Sequence, residues 1–208
     1  MLEDIERGSV VFYDRGKQLF LLAIDSTYHS MTDFGGRKSS RDVDIYATVI
    51  REVREESLGL LVVTREMLEK SPYVIHEKDV TFLVERSFDN MHELRESFSA
   101  LRSVGLTAQG RKAKKSWLEN EALTIIPRDE FIGILLRNTF YVSNEPLCPC
   151  LAVDPPDSSI SVDGFIKVPS KSSRLAVKTA NKKRRRELIY ERVWTNLRSN
   201  ISLIQRVL

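Results

Sequence analysis

The sequence predicts an α/β (α+β) domain, a mixed β-sheet sandwiched between helices, with a basic helical C-terminal extension. Three observations predict it. Short runs of β-branched, aromatic and aliphatic residues lie on both sides of one amphipathic helix. That helix, near residues 46–57, has an apolar stripe and a separate acidic face. Cations accumulate past residue 165, where twelve Lys or Arg face two Glu, a balance of +10 that leaves −7 on the rest of a chain whose net charge is +3.

Each element has its own signal. Ser9-Val10-Val11-Phe12-Tyr13 and Gln18-Leu19-Phe20-Leu21-Leu22-Ala23-Ile24 read as strands, and Asp14-Arg15-Gly16-Lys17 between them carries turn chemistry, which predicts a hairpin. Gly35-Gly36 reads as a turn leading into an acidic loop. In the following helix Tyr46, Val49, Ile50, Val53 and Ser57 fall close together around the axis and predict the core-facing side. Tyr73-Val74-Ile75-His76 and Val80-Thr81-Phe82-Leu83-Val84 predict a second hairpin. Residues 91–104, with Leu94, Phe98 and Leu101 at helical spacing, predict a helix. A short strand over 123–127 runs into a helix over 128–136. Strands on both sides of a helix imply a sheet packed between helices.

Composition bounds the class. With 208 residues, 42% hydrophobic and 29% charged, the chain suits one domain of ordinary core size over 1–153 and an extension over 154–208, divided near Asp154-Pro155-Pro156-Asp157-Ser158-Ser159. No apolar run approaches the ~20 residues of a membrane span. The acidic N-terminus lacks a secretory pattern, so a cytoplasmic location is expected. Cys148 and Cys150 are too close for an unstrained disulfide, and no second Cys or His pair completes a zinc site, so free thiols are expected. His29, His76 and His92 are scattered and form no His-x-His-x-His nucleophile motif.

The chemistry concentrates in Arg51-Glu52-Val53-Arg54-Glu55-Glu56. Glu52, Glu55 and Glu56 stand at i, i+3 and i+4, so their side chains converge on a helix. Like charges at that spacing destabilise an isolated helix. A bound hard cation such as Mg²⁺, shared with substrate phosphates, explains the cluster; a solvated charged face is the bland alternative.

Residues 36–60 resemble the signature of the Nudix hydrolases, G-x5-E-x7-R-E-U-x-E-E-x-G-U with U apolar. The match runs through Gly36, then Asp42 or Asp44 for the first acid, then Arg51, Glu52, Val53, Glu55, Glu56, Gly59 and Leu60. Thr32-Asp33-Phe34-Gly35-Gly36-Arg37 resembles the strand end and glycine turn that precede the motif, and the resemblance spans roughly residues 9–135. The loop after Gly36 is one residue longer than the strict motif, its acid is aspartate, and Ser57-Leu58 adds one residue before Gly59. The resemblance implies a Mg²⁺ (or Mn²⁺) cofactor held by Glu55 and Glu56, with Glu52 on the metal-facing side and the Gly36 carbonyl as a further ligand. It implies that Arg51 orients a glutamate, and that the substrate is a nucleoside-diphosphate-linked compound cleaved at its phosphoric anhydride bond. A distal acid serves as general base or ligand in many members; Glu119 and Glu121 in Glu119-Asn120-Glu121 are the candidates, and the run resembles mRNA-decapping members.

The cations offer several readings. Lys182, Lys183, Arg184, Arg185 and Arg186 form a basic run, followed by Tyr190, Val193, Trp194, Leu197, Ile201 and Ile204 at helical spacing. The helix docks on the domain with the run solvated, or the run holds RNA phosphates, or it is a nuclear address or a membrane-surface contact. A second stretch with Lys112, Lys114 and Lys115 precedes the distal acids and would line the site entrance, which favours RNA. The expectation is a hydrolase of capped or 5′-phosphorylated RNA. The alternatives are a hydrolase of free nucleotides (dinucleoside polyphosphates, nucleotide sugars or damaged nucleoside triphosphates) and a non-catalytic module that binds RNA or protein.

Overall fold

The computed structural model describes residues 2–107, 115–136 and 191–207. At its centre is strand β1 (Arg7–Asp14), whose eight residues are all buried. That pattern fits a strand covered on both faces and paired in parallel on one edge. The parallel partner is β6 (Asp79–Glu85), in unbroken register from Arg7↔Asp79 to Tyr13↔Glu85. β5 (Tyr73–His76) closes that side as the antiparallel half of the expected hairpin.

On the other edge β1 and β2 (Leu19–Asp25) pair only from Phe12↔Leu21 to Asp14↔Leu19. Beyond this the two strands part, and residues 31–37 fill the gap. β3 (Met31–Thr32) pairs with β2, and β4 (Phe34–Arg37) pairs with the first half of β1, Gly35 opposite Ser9 and Gly36 opposite Gly8. β7 (Asn120–Pro127) runs antiparallel along the outer edge of β2. The result is one mixed seven-stranded sheet.

Alternation along the strands feeds two cores. Val10 and Phe12 face one, where they meet Val49 and Val53 of α1 (Ile45–Glu56), Leu68 of α2 (Arg65–Lys70) and Phe98 of α3 (Met91–Thr107). Val11 and Tyr13 face the other, with Phe131 and Leu135 of α4 (Arg128–Leu136), Trp194 and Leu197 of α5 (Glu191–Arg198), and Ile204 of α6 (Ile201–Val207). The domain is thus an α+β sandwich, helices on both faces of a mixed sheet.

The docking reading of the C-terminal helix holds for the described part of the extension. Val193, Trp194, Leu197 and Ile204 are each under a tenth exposed. At ~1.5–3 kcal/mol per fully buried large apolar side chain, they contribute on the order of 6–12 kcal/mol, comparable with the whole net stability of a domain. Asn196 Nδ2 also donates to Thr81 Oγ1 at 2.6 Å, and Thr81 is in turn hydrogen-bonded to Ser9 at 2.9 Å.

Four expectations are corrected. The periodic run after the basic cluster is two helices, because Asn200 interrupts it by donating from Nδ2 to Ile75 O at 3.3 Å while its own carbonyl receives Ile204 N–H. The short strand expected over 123–127 starts at Asn120, which places Glu121 in a strand and not in a loop. The helix expected over 91–104 extends to Thr107. Gly35-Gly36 is a strand segment, not a turn, for a reason given below. Cys148, Cys150, Lys112, Lys114, Lys182, Lys183, Arg184, Arg185, Arg186, Tyr190 and the 154–159 boundary lie outside the described residues; Lys115 opens a short 3-10 turn (Lys115–Leu118). No helix among the described residues is long and apolar enough to cross a membrane.

Candidate metal and active site

The glycine pair exists for close approach. A Cβ on Gly35 would lie 2.2 Å from Ser9 Cβ and 2.5 Å from Gly8 O, and one on Gly36 would lie 2.3 Å from Glu52 Oε1 and 2.4 Å from its Cδ. The missing side chain of Gly36 lets Glu52 of α1 press directly onto β4, and that of Gly35 lets β4 lie close against β1. There Glu56 Oε2 accepts the Gly35 N–H at 2.9 Å.

The three glutamates do not share one exposed face. Glu56 lies on the buried side of α1 with Ile45, Val49 and Val53, while Glu52 and Glu55 are half-buried beside it. Burial pushes the Glu56 carboxyl well above the usual range, and the charges of Asp33 and Glu52 add to this, against the opposing pull of Arg7 and the Gly35 N–H. Burial also raises Glu52, and Glu55 adds to it, while Arg51 works the other way. Desolvated like charges of this kind are what a divalent cation relieves. The donor set is all oxygen, the chemistry of Mg²⁺ or Mn²⁺. Glu55 lies one turn along from Glu52, and its carboxylate has no hydrogen-bond partner among the described residues. Among those residues no group of three or more His, Cys, Asp or Glu is placed to hold a metal ion. Mg²⁺ does not require one, since it usually takes one or two carboxylates, several waters and substrate phosphates.

Arg51 fixes the geometry of the cluster. Its guanidinium donates from NH1 to Glu52 Oε1 at 2.6 Å, and from Nε and NH2 to the two oxygens of Asp42 at 3.1 and 2.8 Å. The expected role, orienting a glutamate, is the one its contacts support. Asp42 also accepts from Ser39 N–H and Thr48 Oγ1, so its carboxylate is fully engaged and held well below the ordinary range by the Arg51 fork. Asp44 does different work: it caps α1, accepting Ala47 N–H at 2.9 Å. Of the two aspartates considered for the first acid, Asp42 is the one joined to Arg51.

The distal acids are separated from each other. Glu121 is paired with His29 Nδ1 at 2.9 Å and lines a groove of about 560 Å³ between α3 and β7, with Met91, Arg95 and Ser99. Glu119 is exposed. Asn120 between them ties the segment to the motif helix, donating from Nδ2 to Glu56 O at 3.3 Å.

Sequence reasoning missed the support beneath the glutamates. Arg7 grips Asp33 with both terminal nitrogens, at 3.1 and 2.6 Å, and reaches Gly35 O at 3.3 Å; the pair is buried. It also missed His29. Asp33 had a signal, an acid immediately before Phe34-Gly35-Gly36; Arg7 and His29 had none. No family model matches the chain, and no curated protein matches it.

Proposed function

We propose that the protein is a Nudix-type hydrolase that uses Mg²⁺ or Mn²⁺ to cleave a diphosphate linkage. One observation carries the reading: Glu52 and Glu56 of the Arg-Glu-x-x-Glu-Glu helix are desolvated where α1 meets β4, Glu52 filling the space that a side chain on Gly36 would take and Glu56 accepting the Gly35 N–H. Glu55 and Glu56 would hold the ion, with Glu52 and the Gly36 carbonyl beside them. A divalent ion bound there would neutralise phosphate oxygens and acidify a water. The chain's own residues supply position. Arg51 locks Glu52, Asp42 locks Arg51, and the Gly35 N–H fixes the second oxygen of Glu56. For the general base we favour Glu121 over Glu119, because His29 holds it in a half-buried groove and proton transfer needs a fixed partner.

We assign the substrate to capped or 5′-phosphorylated RNA. Support comes from the Glu119-Asn120-Glu121 run and from the basic clusters around Lys112, Lys114 and Lys115 and at Lys182, Lys183, Arg184, Arg185 and Arg186. The test is a panel of capped RNA, dinucleoside polyphosphates and nucleotide sugars with Mg²⁺ and Mn²⁺, run on wild type, Glu55→Gln and Glu56→Gln. Each variant is expected to lose most turnover while remaining folded by circular dichroism. Near-normal turnover by both variants rejects the site. Absence of turnover on every substrate favours a binding module.

A further inference from the structure

A polar seam crosses the sheet on the face opposite α1. Thr81 of β6 is two residues along the parallel register from Arg7↔Asp79, side by side with Ser9 of β1, and Gly35 of β4 lies opposite Ser9 on the other edge. α5 packs over β5 and β6 on this face. Asn196 belongs to its buried side, with Val193, Trp194 and Leu197, and is 2% exposed. The hydrogen bonds form a directed chain. Asn196 Nδ2 donates to Thr81 Oγ1 at 2.6 Å, and Ser9 Oγ donates to Val80 O at 3.4 Å. A hydroxyl has one proton to give. Ser9 has already used its own, so Thr81 donates to Ser9 across the 2.9 Å contact. Ser9, Thr81 and Asn196 are all buried, where low dielectric and mutual polarisation strengthen such a chain.

The chain ends against the glycine that holds Glu56. A Cβ on Gly35 would lie 2.2 Å from Ser9 Cβ, so the Ser9 side chain sets how β4 seats against β1. The same Gly35 gives its N–H to Glu56 Oε2 at 2.9 Å, and its carbonyl receives Arg7 NH2 at 3.3 Å. Docking alone does not explain Asn196. Its Oδ1 is buried with no hydrogen-bond partner among the described residues. A half-satisfied amide weakens an apolar docking face that leucine would strengthen. What the amide adds is a fixed donor on Thr81. We propose that Asn196 is a positioning residue for the Gly35 peptide, through which docking of α5 is coupled to cation binding at Glu56. The cation half of this rests on the hydrolase reading. The coupling is reciprocal: a bound ion tightens the docked α5, and loss of the Asn196 donor loosens the ion.

The test uses the full chain without turnover, as wild type, Asn196→Leu, Thr81→Val, Thr81→Ser and Ile204→Ala. Asn196→Leu keeps the docking face apolar and removes the donor. Thr81→Val breaks the chain and Thr81→Ser preserves its hydroxyl. Ile204→Ala strips packing from α6 and leaves the chain intact. Mn²⁺ affinity is measured by calorimetry, the denaturation midpoint by circular dichroism, and Gly35 amide exchange by NMR in chelator. Asn196→Leu should hold or raise the midpoint, yet weaken Mn²⁺ about 3- to 30-fold and speed Gly35 exchange by a similar factor. Thr81→Val should show the same two losses, and Thr81→Ser should behave as wild type. Ile204→Ala should lower the midpoint and leave Mn²⁺ affinity alone. Unchanged Gly35 exchange in Asn196→Leu and Thr81→Val overturns the proposal. So does Mn²⁺ affinity that simply follows the midpoint across the variants, the mark of a purely structural role. A wild type that binds no Mn²⁺ sinks the hydrolase reading and the cation half of this one; Gly35 exchange, read without metal, then decides the positioning role by itself.

Discussion

Two adjacent glycines make different predictions when each is changed to alanine. Neither Gly35 nor Gly36 has a positive φ, so the backbone itself accepts alanine at both. What differs is the obstacle. At Gly36 the new Cβ meets the far end of the Glu52 side chain at 2.3 Å. The carboxylate can swing away, but it then leaves Arg51 NH1, a charge-assisted contact of 2.6 Å. Loss of that hydrogen bond and a poorer rotamer cost about 2 kcal/mol, or about 4–8 °C in Tm for a chain of this size. Turnover should fall at least ~10- to 100-fold, as for other losses of support around a metal ligand. At Gly35 the obstacles are Gly8 O and Ser9 Cα, both backbone, at 2.5 Å. The central pairing of β1 and β4 would have to open, which costs about 3 kcal/mol or more and lowers Tm by about 6 °C or more. The assay is thermal denaturation with Mn²⁺ titration and hydrolysis on the same preparations. Gly36→Ala should stay folded with weakened metal binding, and Gly35→Ala should be the less stable of the two. Wild-type metal affinity and turnover in Gly36→Ala would refute the claim that this glycine makes room for Glu52.

Two more outcomes follow from the buried groups. Because burial raises the Glu56 carboxyl above its ordinary value of 4.5, the folded state prefers it protonated. That contribution is present in full below pH 4.5 and is lost as pH rises through the elevated value. In chelator, Glu56→Gln should therefore gain stability over wild type as pH is raised toward 8 and show no gain near pH 4; a pH series of denaturation midpoints with no trend would refute the burial argument. For the RNA reading, replacing Lys182, Lys183, Arg184, Arg185 and Arg186 together by Gln should flatten the salt dependence of RNA cleavage, since each lost phosphate contact reduces the slope of log affinity against log salt by ~0.7 on single strands. An unchanged slope would remove the run from RNA binding. Deleting the extension is the poorer experiment, because it also strips Trp194, Leu197 and Ile204 from the core.

The elements visible in the sequence are those with a strong local signal. The spacing of Val49 and Val53 with Ile50 marked α1, and runs of β-branched, aromatic and aliphatic residues marked β1, β2, β5 and β6. The β3–β4 segment was not legible, because strands of two and four residues carry no period and two glycines look like a turn whether their role is torsional or steric. Arg7 and Asp33 are 26 residues apart, and only the pairing of β4 with β1 brings them together. The helical spacing put Glu52, Glu55 and Glu56 on one helix but did not show their different depths. Glu56 is buried because α1 rolls toward Gly35, which a helical wheel does not contain. The same limit applies to Asp42 and Asp44, two residues apart, of which only the folded loop shows one to be a clasp and the other a cap.

The late position of α5 and α6 shapes how this protein must be made. During synthesis at about 5–20 residues per second, Phe20, Leu22, Phe131 and Leu135 emerge well before the helices that cover them. For those seconds the part of that face which α5 and α6 later cover, on the sheet and on α4, is greasy and open to water, a period in which a nascent chain sticks to its neighbours. Prematurely terminated products lacking residues 191–207 would keep that bare side permanently, so they should appear in the pellet and be cleared by proteases, whatever the condition of the glutamates.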